Sequence, residues 1–219
     1  MTIPLAADKP VQQENTGSSA RKRRAILNAA IQVFLRSGYL GASMDEIAAL
    51  SEVSKQTVYK HFSSKEGLFV EIVTSMTDAA SHTVHNEMPE FAGDDDIVGF
   101  LQMYALRQLT VVLTPRLMQL RRLVIGEVSR FPELATVLYE RGPQLAIATL
   151  AETFNRLADR GLLAMDDSLL AAAHFNWLVM SEPLNKAMLL GDHAIPKRPA
   201  LRRHAAEAVR VFLAAYGKR

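Results

Sequence analysis

Apolar residues recur along this chain at helical spacing almost from end to end, and no stretch alternates with period two. Residues 1–18 mix Pro, Gln, Asn, Gly and Ser without periodicity and read as a flexible tail. Ile26, Ala29, Ala30, Val33 and Phe34 then follow the i, i+3, i+4, i+7, i+8 pattern of an amphipathic helix, which Gly38 stops. Ser43 with Glu46 forms a capping box for a short helix through Ile47, Ala48 and Leu50. A second short helix runs from about Ser54 to His61, with Val53, Val58 and Phe62 as its apolar points. Ser63-Ser64-Lys65-Glu66 is another capping box, opening a longer helix to about Val84.

The second half repeats this pattern in longer pieces. Residues 85–96 form a loop, with Asp94-Asp95-Asp96 as a negatively charged helix start. Ile97, Leu101, Tyr104, Ala105, Gln108 and Val112 mark the next helix. Thr114-Pro115 reads as a cap followed by a first-turn proline. Phe131-Pro132 and Gly142-Pro143 are expected to break the following region into pieces. Gly161 ends a helix, Asp166-Asp167 start another, and Pro183 predicts a kink or restart within it. The last helix carries Leu201, Ala205, Ala208, Val209, Phe212, Leu213 and Tyr216. The expectation is an all-α fold of about nine helices without an internal repeat.

Composition narrows the chemistry. The chain has 219 residues, 49% of them hydrophobic, enough for one or two packed domains. It has no Cys, so a disulfide scaffold, a thiolate nucleophile and Cys-bound metal are excluded. No apolar run reaches the ~18–20 residues of a membrane span, and the N-terminal residues lack the basic-then-apolar order of a secretory signal. A cytoplasmic protein is expected. The net charge of +2 divides unevenly: residues 1–66 carry nine Lys/Arg against six Asp/Glu, and the remainder is close to neutral. A basic front and a neutral back predict different partners for the two halves.

Two short helices joined by a tight turn beside a basic cluster form the pattern of a helix-turn-helix. The outward residues of the second helix are Lys55, Gln56, Thr57, Tyr59, Lys60 and His61. Each can donate a hydrogen bond to phosphate or a base edge, and none is acidic. A solvated face on a bundle helix has the same look. The run from Ile47 to Glu66, with its Val53-Ser54, Thr57-x-Tyr59-x-His61-Phe62 and Ser64-Lys65-Glu66, resembles the DNA-binding signature of the TetR/AcrR family of bacterial regulators. The resemblance extends upstream through Phe34 and Gly38. More loosely, Leu123-Val124-Ile125-Gly126-Glu127 and Arg130-Phe131-Pro132-Glu133-Leu134 resemble the AefR-like subgroup.

The resemblance implies a helix-turn-helix domain over 19–66 and a ligand-binding and dimerisation bundle over 67–219. It also implies a homodimer on double-stranded operator DNA at the bacterial nucleoid, usually a repressor, released by a small effector; the alternatives are an activator of the same fold or, further off, a helical-bundle ligand carrier or enzyme. By family position Thr57, Tyr59 and His61 hold phosphates, with Ser43 and Lys65 doing the same at helix starts, where free N–H groups favour anions; Ser54 is a further DNA-binding candidate. Lys55, Gln56 and Lys60 are the candidates for base edges. Arg23 and Arg24, within the cluster Arg21–Arg24, either follow the DNA backbone, enter the minor groove, or belong to a solubilising arm. Two departures stand out. Ser51-Glu52 replaces the usual Ala-Gly of the turn, so Glu52 is strained if it keeps the glycine's backbone. Gln56 replaces a glycine and brings an amide that can read adenine.

No nucleophile elbow, ordered triad or glycine-rich phosphate loop is readable, so a non-enzyme is expected, with no cofactor and no metal. His82, His85 and Glu87 read as surface residues. Met103, Tyr104, Gln108, Met118, Arg122, Phe154, His174, Phe175 and Trp177 are the candidate effector contacts, with Arg121 a further polar anchor. Few charges in the C-terminal half predict a neutral or weakly charged, mainly hydrophobic effector. The Ala-rich stripe of the last helix, with Phe212, predicts a four-helix dimer interface together with residues 166–180.

Overall fold

The computed structural model describes residues 12–85, 91 and 96–218, with side chains from residue 17 onward. These residues form ten α-helices: α1 (Gln12–Gly41), α2 (Met44–Leu50), α3 (Lys55–Phe62), α4 (Lys65–His85), α5 (Ile97–Val112), α6 (Pro115–Gly126), α7 (Pro132–Tyr139), α8 (Leu145–Asp159), α9 (Ser168–Leu190) and α10 (Arg198–Tyr216). A π-helical turn, Glu140–Gln144, joins α7 to α8, and a 3₁₀ turn, Asp192–Ala194, follows α9. Extended pairing among the described residues is confined to one bridge, Leu163 with Gly217. The fold is all-α, as its periodicity predicts.

Helix boundaries follow local chemistry. Gly38 breaks the helical geometry of α1 at φ 70° and ψ 177°, and Ser43, Ser54, Asp96, Thr114 and Asp167 each accept a first-turn backbone N–H. Several boundaries differ from expectation. The α1 helix begins at Gln12, so residues 12–18 of the expected tail are helical, and residues 1–11 lie outside those described. The cap of α4 is Ser64, whose Oγ accepts from Gly67 N at 3.0 Å, and not Ser63. At Ser43 only half of the capping box forms, because the Glu46 carboxylate pairs with Arg36.

Of the three expected proline breaks, Phe131-Pro132 starts α7, whereas those at Pro143 and Pro183 are accommodated within helical geometry. Gly142-Pro143 does not end a helix but sits in the π turn, where the widened spacing tolerates a residue without an N–H. The α9 helix continues through Pro183 without restarting. Pro183 deprives the Val179 carbonyl of its intrahelical donor, and His204 Nε2 from α10 meets that oxygen at 2.9 Å.

The chain divides into two compact units, residues 1–72 and 73–219. In the first, Phe34, Tyr39 and Phe69 pack ring to ring at centroid distances of 5.0–6.0 Å, beside fully buried Ile26, Ile47, Val58 and Leu68. In the second, α8, α9, α10 and α5 pack around Phe154, Phe175 and Phe212, which meet edge-on or tilted at 5.0–5.7 Å. Ala205, Ala208 and Phe212 are therefore buried in the chain's own core. At these three positions the α10 stripe is a core face and not an exposed interface, whereas Ala215 of the same stripe is exposed.

Candidate nucleic-acid interface and effector cavity

The α3 helix is positioned by its two buried residues, Val58 and Phe62, which leave the opposite face exposed. Ser54 Oγ accepts the Thr57 N–H at 3.2 Å and lies 2.8 Å from Thr57 Oγ1, so these two hydroxyls hold each other at the helix start. Ser43, Ser54, Lys55, Gln56, Tyr59 and Lys60 are exposed, and Thr57 and His61 are half-buried. No acidic residue lies on this helix. The turn before α3 carries Glu52 at φ 55°, the left-handed geometry that the Ser51-Glu52 replacement put in question. Ser51 is buried there, its Oγ donating to the Ile47 carbonyl at 2.6 Å.

Several predicted contacts already have partners within their own unit. Lys55 Nζ sits 2.8 Å from Asp45, whose hydrogen bond and charge raise the lysine's pKa. Lys65 Nζ donates to the Ala42 carbonyl at 2.8 Å and lies 4.6 Å from the Tyr39 ring centre. It ties α4 to the end of α1. Arg23 pairs with Glu71 at 2.7 Å and covers the Phe62 ring, while Arg24 is exposed. All four residues Arg21–Arg24 lie inside α1, so the cluster is wrapped around a helix and is not an arm.

Unit two contains a largely apolar cavity that opens to solvent on one side. Thr77, Ala80, Ser81, Val84 and His85 line it from α4. The remaining wall is largely apolar, including Val112, Leu117, Leu120, Leu138, Pro143, Met180 and Leu184. Its polar members include Gln108, Arg121 and Asn176. The π turn closes one side and is fastened to α4: Ser81 Oγ donates to the Arg141 carbonyl at 2.5 Å, and Arg141 pairs with Asp78 at 2.8 Å.

Of the nine predicted effector contacts, Gln108 and Trp177 line this cavity. Phe154, Phe175 and Met118 are core residues without exposure. Tyr104 is also buried, behind His85, with its hydroxyl 3.5 Å from His85 Nδ1. Met103 is exposed beside a separate groove with Arg107 and Arg198. His174 is exposed and bonds the Tyr216 hydroxyl at 2.6 Å. Arg122 is committed to Asp192 and to the Ala187 carbonyl. Burial pushes the Asp192 carboxyl up, but hydrogen bonds from Arg122 and Gln119 outweigh it and hold the group below its ordinary value. His85 and Asn176 were not legible as cavity residues, because helical spacing identifies an inward face without saying whether that face meets a side chain or a space. Glu87 lies outside the described residues. Among those described, no three His, Cys, Asp or Glu residues gather as a metal site.

Residues 26–72 match the family model described as bacterial regulatory proteins of the tetR family, and residues 99–218 match the C-terminal domain of AefR-like transcriptional repressors. The structure of a TetR-family transcriptional regulator from Mesorhizobium loti superposes with a TM-score of 0.83 at 40% identity, covering 91% of this chain and 98% of that one. A flavonoid-responsive regulator, FrrA, superposes with a TM-score of 0.74 at 29% identity, covering 91% and 99%. The DNA-binding transcriptional repressor TetR of Mycobacteroides abscessus is 30% identical over 147 residues, 66% of this chain and 64% of that protein. The match thus spans just under two thirds of that relative's length.

Proposed function

The chain belongs to the TetR family of bacterial transcriptional regulators, with an AefR-like C-terminal domain, and from that premise we propose that it is a homodimeric repressor released from operator DNA by a small effector. The observation that carries this reading is the acid-free, exposed face of α3, presenting Gln56, Tyr59 and Lys60 from a helix anchored on Val58 and Phe62. Gln56 and Lys60, one turn apart, reach base edges in the major groove, and Tyr59, Thr57 and His61 hold phosphates. Ser43, Ser54 and Arg24 extend the phosphate contacts. Lys55 joins them only by loosening its Asp45 pair, and Arg23 and Lys65 act chiefly as positioning residues.

The α4 helix links recognition to the effector. Its first turns carry Leu68 and Phe69 into the core of unit one, and its last turns wall the cavity of unit two. A molecule in that cavity pushes on Thr77, Ser81 and His85 and loads the π turn fastened to the same helix. It changes operator affinity only by preferring one position of α4 over another. The response to flavonoids named for FrrA supports a small, ring-bearing effector. A dimer meeting its operator in the bacterial cytoplasm completes the reading.

Genome-wide mapping of bound DNA tests it. Discrete, near-palindromic sites that lose occupancy in a Lys60→Ala, Gln56→Ala variant are expected, with neighbouring transcripts rising when the protein is deleted. Uniform, sequence-independent occupancy overturns it.

A further inference from the structure

Arg121 lines the cavity yet makes no hydrogen bond, ion pair or ring contact among the described residues. Its neighbour Arg122 is fully engaged by Asp192 and the Ala187 carbonyl. Arg121 is half-buried, and that burial lowers its pKa from the usual value. A charge so placed is stabilised when an anion joins it, and a planar guanidinium suits a carboxylate or an acidic phenol.

A second, independent observation lies in the same wall. Gln108 and Asn176 are 4% and 2% exposed, and Gln108 Nε2 donates to Asn176 Oδ1 at 2.6 Å. That bond leaves Gln108 Oε1 and Asn176 Nδ2 buried without partners. Turning both amides over only exchanges the roles: one carbonyl and one NH₂ remain unsatisfied. His85 Nε2 is a third buried atom without a partner, on a ring that burial biases toward its neutral form. Buried polar groups are normally paired, so three orphans around one space describe what that space is shaped to receive. A trapped water can serve the amides, but it does not neutralise Arg121.

We propose that the cavity takes an apolar, ring-bearing weak-acid anion, its charge held by Arg121 and its hydrogen-bonding groups by Gln108, Asn176 and His85. This rests on the reading of the cavity as the effector site. It narrows the neutral or weakly charged, mainly hydrophobic effector expected from composition to an anion, because a count of charges gives a single arginine facing a cavity no more weight than one in solvent.

The test uses the full-length protein and two matched probes: 1-anilinonaphthalene-8-sulfonate and its neutral twin N-phenyl-1-naphthylamine, which lacks only the sulfonate. Energy transfer from Trp177, the chain's one tryptophan and a cavity residue, reports binding. The anion is expected to bind with a Kd at least about tenfold lower than the neutral twin. Arg121→Gln should erase that advantage without altering the neutral probe, and Arg121→Lys should keep part of it. Arg121→Met, which keeps the apolar stem, replaces Gln if that variant does not fold. Equal or tighter binding of the neutral probe, or an Arg121 variant that binds the anion like wild type, overturns the anion proposal and leaves the cavity reading standing. Ala146→Phe and Ala80→Phe fill the space from two different helices. If both fold by circular dichroism and neither reduces probe binding, or if neither probe binds the wild type, the cavity reading itself falls.

Discussion

Glu52 occupies a turn position at φ 55°, where a side chain clashes with its own backbone and glycine does not. Glu52→Gly relieves that strain but enlarges the freedom of the unfolded chain. The net expectation is a gain of about 0.5–1 kcal/mol, read as a higher urea midpoint with an unchanged slope. A loss of stability means that the Glu52 side chain compensates elsewhere. Lys60 poses a different question, because it is exposed and lies on the α3 face without acids. Lys60→Ala should weaken specific DNA binding by ~1–3 kcal/mol if the residue reads a base. An equal loss on operator and random DNA assigns it to phosphate, and no loss on either removes it from the interface. Lys55 shows why residue type alone misleads at this scale. Its charge and position on α3 suit DNA, yet Asp45 on α2 already holds its ammonium.

At the scale of the element, two prolines show how a helix tolerates a residue that normally breaks it. Pro143 is housed by a π turn whose Arg141 carbonyl receives Ser81, and Pro183 is housed by an outside donor, His204, at the freed Val179 oxygen. The second arrangement predicts a specific coupling. His204→Ala leaves a buried carbonyl unsatisfied and should cost about 1–3 kcal/mol. In a Pro183→Ala background the new N–H at position 183 serves the same oxygen, so the His204→Ala cost should shrink to a fraction of that. A double-mutant cycle by chemical denaturation measures it, and strict additivity of the two changes rejects the compensation. Neither device is visible in the sequence, because the residue that rescues each proline lies on another helix. The caps are the opposite case: Ser43, Ser54, Thr114 and Asp167 act on backbone three residues away, within the reach of local sequence.

At the scale of the whole molecule the question is which surface meets a second copy. Phe212 has no exposure and packs against Phe154 and Phe175, so Phe212→Asp should unfold unit two rather than release monomers. Exposed apolar residues on α9 and α10 are better placed for a partner: Leu170 is 51% exposed and Val211 40%. His174 and Tyr216 bond between the same two helices. A four-helix interface built on α9 and α10 follows from the proposed dimer. Leu170→Asp with Val211→Asp should yield folded monomers at micromolar concentration, with melting temperature little changed. Light scattering alongside thermal unfolding checks both variants. A persistent dimer in the double variant moves the interface elsewhere.

The sequence by itself determined the helical class, most helix limits and the position of the recognition helix. Each depends on periodicity, a cap or a short run of residues, and such local interactions form wherever the segment lies. The tertiary structure alone decided which inward-facing residues fill the core and which border a cavity. Phe154, Phe175, Gln108 and Asn176 are all buried on helical faces, yet only the two amides line the space. That distinction depends on gaps left between helices far apart in sequence, as does the commitment of Lys55, Lys65, Arg23 and Arg122 to their partners. Periodicity registers the direction of a side chain, but a cavity and an ion pair are properties of two or more segments at once.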